Sequence, residues 1–173
     1  MQNLHAWHSI SALAWMKNLL FERFGHQFVI DVKNCEFLIL RLDGDVRYVE
    51  LMLDGATFLR KDSDLSCTQW DPAAEGWRTA LPGTLPAPGL LRVLSPLIEA
   101  VPRGHRIRYD ILALTYWMLT RQEEIGRTDL DEHGRFPAKS SHAFKYGYLE
   151  RPIVDEWLYV LGQAIVRTWP SLV

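Results

Sequence analysis

The stretch FLILRLDGDVRYVELML, residues Phe37–Leu53, decides the fold class. Two strand-like apolar segments, Phe37–Leu42 and Val46–Leu53, flank Asp43-Gly44. Asp-Gly between such runs is a strong hairpin signal, because a tight primed turn needs positive φ at both central residues. Asp54-Gly55 repeats the signal before Ala56–Leu59, and Phe28–Ile30 adds a shorter apolar run upstream. Residues 27–60 are therefore expected to form a small, largely antiparallel sheet.

Helical patterns bracket this sheet. Over residues 9–24, Ile10, Leu13, Met16, Leu20 and Phe24 recur at three- and four-residue steps, with Ser9 as N-cap and Gly25 as terminator. From Tyr109 to Glu124 the sequence is apolar around nearly its whole circumference, which predicts a helix buried on most sides. A last helix is expected over Pro152–Trp169, with Val154, Trp157, Leu158, Leu161 and Ile165 on its inner stripe. Residues 61–92 are broken by proline and glycine and read as a long flap, pinned by Trp70 and Trp77. The order predicts a mixed α/β (α+β) domain spanning 1–173, with a largely antiparallel or mixed sheet, packed helices and this flap.

Composition removes several classes of function. The hydrophobic share of 48% is enough for one core without metal or disulfide staples. A formal charge of -2 gives no basis for nucleic-acid binding, and the basic run Arg103, His105, Arg106, Arg108 reads as a solvated turn. Cys35 and Cys67 lie far apart and read as reduced thiols. No secretory signal and no membrane span is visible, so the cytoplasm is the expected compartment. His5 and His8 could share a helix face, yet no carboxylate or cysteine accompanies them as metal ligands. No cofactor is expected in this chain. Glycine-rich phosphate loops, nucleophile elbows and H-E-x-x-H are missing from the sequence.

The informative region is Leu119–Trp157. Between Arg121 and Arg151 stand six Lys/Arg and six Asp/Glu, a balance that fits mutual pairing better than a footprint for a charged ligand. Candidate ligand- or partner-contact residues are Arg121, Glu123, Glu124, Asp131, His133, Arg135, Lys145, Asp155, Glu156 and Trp157. A structural reading joins Arg121 and Glu124, the alternating Asp131, His133 and Arg135, and Asp155 and Glu156 into one clamp. A functional reading makes them a shelf for sugar or a partner, with Phe136, Tyr146, Tyr148 or Trp157 stacking on a pyranose. His133 with Asp131 or Glu124 could alternatively serve acid–base catalysis, making the chain a small enzyme.

The motifs L-T-R-Q-E-E (Leu119–Glu124), D-E-H-G-R-F-P-A (Asp131–Ala138), K-Y-G-Y-L-E-R-P (Lys145–Pro152) and V-D-E-W (Val154–Trp157) occur in order. Together they resemble a module found ahead of the catalytic domain in bacterial polysaccharide-deacetylase-like proteins. The resemblance covers about the last third of the chain closely. It implies a non-catalytic accessory domain in cell-envelope or capsular carbohydrate metabolism, packing on or shaping the substrate groove of a C-terminal catalytic domain. That catalytic domain would hold a divalent metal through an aspartate motif and an H-x-x-x-H pair, neither of which occurs in this chain. Its partners would be that domain and a polysaccharide. Trp70, Trp77 and Trp169 are expected to border the surface that meets it. A stand-alone interaction module in envelope polysaccharide synthesis is the alternative.

Overall fold

The computed structural model describes residues 10–54, 57–59 and 64–172. Its main layer is a five-stranded sheet of β1 (Phe28–Lys33), β2 (Phe37–Leu42), β3 (Tyr48–Met52), β6 (Ile98–Val101) and β7 (Gly104–Ile107), in the order β1-β2-β3-β7-β6. All neighbours are antiparallel except β3 and β7, which run parallel. A separate antiparallel ribbon pairs β4 (Cys67–Trp70) with β5 (Leu85–Pro88). The helices are α1 (Ile10–Phe24), α2 (Ile111–Leu119), the single-turn α3 (His142–Lys145) and α4 (Ile153–Thr168). The fold is mixed α/β.

Register explains which side of the sheet is buried. Phe28 lies opposite Leu42, Ile30 opposite Leu40, Leu38 opposite Leu51 and Leu40 opposite Val49. Directly opposed residues share a face, so these side chains form one apolar surface. Helix α1 packs on β1 and α4 on β3 and β7, burying Met16, Leu20, Leu161, Ala164 and Ile165. The other face carries Lys33, Glu50, Glu99, Arg106 and Arg108. Glu50 is fully buried there, held by Lys33 at 2.8 Å and Arg106 at 2.6 Å, while Glu99 takes Arg106 and Arg108. Burial opposes ionisation of Glu50, yet Lys33 and Arg106 together hold its carboxyl below the ordinary range.

Several expectations need correction. The β2–β3 hairpin exists, but Asp43-Gly44 is not its primed turn. Only Gly44 has positive φ, at 72°, within a longer loop whose first turn closes from Asp45 N–H to the Leu42 carbonyl. The primed geometry belongs to Asn34 and Cys35, φ 53° and 57°, between β1 and β2. Thr57–Leu59 form a 3-10 turn rather than a strand, because the Asp54 carboxylate accepts from Thr57 N–H and starts a turn. Gly55 and Ala56 lie outside the described residues, as do His5, His8 and Ser9.

The expected flap contains the β4–β5 ribbon, with β5 wholly buried. The basic run is a turn only at Arg103: His105 and Arg106 lie on β7, the strand that runs parallel to β3. Gly104 makes that pairing possible, since a Cβ there would fall 1.9 Å from the Tyr48 carbonyl oxygen. The helix expected to run to Glu124 stops at Leu119, and Arg121 turns the chain with φ 54°. No described helix is long and apolar enough to cross a membrane.

Candidate functional site

The charged motifs resolve into separate local bonds, not one clamp. Arg121 Nε donates to Glu124 Oε1 at 2.7 Å in a pair whose arginine is 71% exposed. Glu123 accepts from His142 N–H at 2.8 Å, fastening the first turn of α3. Asp131 closes its own loop by accepting from the backbone N–H groups of His133 and Arg135, both at 2.9 Å, and from Arg135 Nε at 3.1 Å. These donors, the Arg135 N–H foremost, lower its carboxyl pKa. Asp131, His133 and Arg135 therefore sit on a turn and not along a strand. Lys145 reaches Asp64, and Asp155 pairs with Arg23 of α1.

Only one of these ion pairs is substantially buried. Glu156, 1% exposed, accepts both Nε and Nη2 of Arg151, whose Nη1 donates to the Thr84 carbonyl at 2.6 Å. This links the start of α4 to the ribbon. Beside it, the buried Trp157 donates its indole N–H to the Pro86 carbonyl at 2.9 Å. Trp157 is thus core, and so are Trp70, Trp77 and Trp169, none more than 5% exposed. The expectation that the last three border a docking surface is overturned.

The arrangement does not assemble the acid–base pair considered from sequence. His133 is exposed and approaches Glu132 at 3.5 Å, while the Asp131 carboxylate is occupied by backbone N–H groups. The histidine the fold does bury is His142. Its Nε2 bonds the Leu65 carbonyl at 3.0 Å, its Nδ1 meets the Tyr148 hydroxyl, and Trp117 and Tyr146 pack around the ring. Burial lowers its pKa and raises that of Tyr148. A neutral imidazole that donates from Nε2 and accepts the hydroxyl at Nδ1 satisfies both bonds. This histidine pins the chain. Among the described residues, no three His, Cys, Asp or Glu side chains are grouped to hold a metal.

A groove lies elsewhere, between the end of α1, the outer face of α4 and Arg78. It is about 450 Å³, lined by Arg23, Phe24, Arg78, Leu158, Tyr159, Gly162, Gln163, Val166 and Arg167. Gly162 opens it: a Cβ there would press the Phe24 ring at 3.0 Å. Its walls are fixed by reciprocal bonds, Arg78 N–H to Gln163 Oε1 at 3.0 Å and Gln163 Nε2 to the Arg78 carbonyl at 2.9 Å. Sequence reading concentrated on the inner stripe of α4 and missed this face. Tyr159 and Val166, seven apart on the polar side, were the available signal.

Mixed sheet, ribbon and internally paired motif segment together define an α/β fold that carries this open groove. The chain belongs to DUF7033, a family of unknown function, whose model matches residues 5–170. No curated protein and no solved structure matches it.

Proposed function

We propose that this chain is a non-catalytic accessory domain of a polysaccharide-deacetylase-like protein, acting in cell-envelope or capsular carbohydrate metabolism in the cytoplasm. It packs against a C-terminal catalytic domain and shapes that domain's substrate groove, where a polysaccharide would bind. The divalent metal belongs to the catalytic domain.

One observation carries this reading beyond the motif resemblance. The segment bearing the motifs ties Glu123, Asp131, Arg151 and Glu156 into internal bonds yet leaves Ile125, Leu130, Phe144 and Leu149 between 44% and 55% exposed. Large apolar side chains exposed along a segment with satisfied polar groups suit an interface between domains.

The test is to produce the polypeptide encoded downstream of Val173 and mix it with this chain. Association is expected, and Phe144→Asp with Leu149→Asp should weaken it without unfolding the domain. Downstream sequence without an aspartate motif and H-x-x-x-H pair, or association indifferent to both aspartates, would overturn the proposal.

A further inference from the structure

We propose that the α1–α4–Arg78 groove binds a small anionic amphiphile: a phosphate or carboxylate head on an aromatic or alkyl body. The volume of about 450 Å³ is that of a small-molecule site. Phe24, Leu158 and Val166 give it an apolar floor, and Tyr159 stands beside it 39% exposed. A face meant only for water would carry polar side chains here.

Three guanidinium groups rim this floor, and their partners differ. Arg23 is answered by the Asp155 carboxylate. Arg167 lies 3.9 Å over the Trp77 ring and donates to the Gly76 carbonyl at 2.8 Å, neither of which carries charge. Arg78 forms no ion pair among the described residues, while its backbone is held to Gln163. Two positive charges therefore stand uncompensated over apolar surface.

The hydrogen-bonding inventory narrows the ligand. Both ends of the Gln163 amide are occupied, and the Gly76 and Arg78 carbonyls are already accepting. The charged groups of the rim are guanidinium groups, which only donate, whereas each of these oxygens already holds one bond within the chain. A neutral sugar presents hydroxyls that need acceptors as well, whereas a phosphate or carboxylate needs donors alone.

The site is independent of the domain-packing proposal and is tested on this chain by itself. Calorimetric titration and amide NMR would compare 1-naphthyl phosphate with inorganic phosphate, 1-naphthol and methyl glucoside. We expect saturable binding of naphthyl phosphate that shifts the amides of Arg78, Gly162 and Gln163. Each part alone should bind at least about tenfold more weakly, and added salt should weaken the complex. Arg78→Gln should reduce affinity by roughly tenfold, Val166→Glu should abolish binding, and Arg92→Gln should leave it unchanged. Absence of saturable binding overturns the proposal, as does equal affinity for 1-naphthol. Resonance shifts outside the groove, or full affinity in a folded Arg78→Gln or Val166→Glu variant, would do the same.

Discussion

The indole of Trp157 lies on that of Trp70, with ring centroids 5.3 Å apart and planes 9° from parallel. One ring belongs to α4 and the other to β4, so this stack joins the last helix to the ribbon. Truncating either buried ring to alanine should cost about 3–5 kcal/mol in urea unfolding. The double variant should fall short of additivity, with a coupling of about 0.5–1.5 kcal/mol. Strict additivity would mean that the two rings act separately.

Ion pairs in the motif segment should differ sharply in weight. Arg151→Ala strands the buried Glu156 carboxylate, and removing one partner of such a pair costs roughly 3–5 kcal/mol. Arg121→Ala and Asp155→Ala break pairs with well-exposed members and should remain within about 1 kcal/mol of the parent. Thermal unfolding of the three variants side by side checks the ranking.

Asp110 gives the fold a pH dependence. It caps α2 by accepting from Ala113 N–H at 2.9 Å and also accepts from Asp54 N–H at 2.8 Å. Burial nevertheless pushes its carboxyl up to about 8. The folded chain then keeps a proton that an unfolded aspartate, with a pKa near 4, releases. This group's contribution to stability should fall as pH rises from about 4 to about 8, then level off. Asp110→Asn should flatten that slope, while losing about 1 kcal/mol at pH 5 because its amide nitrogen faces an N–H group. Urea midpoints across that pH range, parent against variant, provide the measurement.

Gly104→Ala should damage the sheet rather than merely loosen it. The new methyl would meet the Tyr48 carbonyl at 1.9 Å, and that oxygen belongs to backbone, which cannot step aside cheaply. A loss above about 3 kcal/mol, or failure to accumulate as folded protein, is expected. Gly134→Ala is the comparison, having positive φ but open space around it. It should cost only the left-handed backbone, roughly 1 kcal/mol.

The sequence revealed elements better than their joints. Periodicity located α1 and α4 because their inner stripes are uninterrupted, and the hairpin at Phe37–Leu53 was legible from two apolar runs around a turn. Strands β6 and β7 escaped because Ile98–Val101 and Gly104–Ile107 are four residues each and polar on one side. Arg106, expected in a solvated turn, instead pairs with Glu99 across neighbouring strands. Asn34-Cys35 was invisible as a primed turn because neither residue is glycine. The charged motif segment was legible as a balanced set of charges, while the groove on the outer face of α4 was not. The partners of those charges were not legible either, since Arg23 reaches Asp155 and Thr84 meets Arg151 only after the chain has folded back on itself.

The single parallel contact, β3 beside β7, also sets the order in which the molecule can be made. During synthesis β1, β2 and β3 can zip together as they appear, because their connections are short. The far edge of β3 then waits while the ribbon and β6 emerge. In that interval the nascent sheet presents an open strand edge bearing Val49 and Leu51, the kind of template on which strands of other chains add. Glu50 stands midway along that edge, paired only with Lys33 of β1 until Arg106 arrives to cover it. A charge at this position discourages improper pairing early and becomes a buried anchor late.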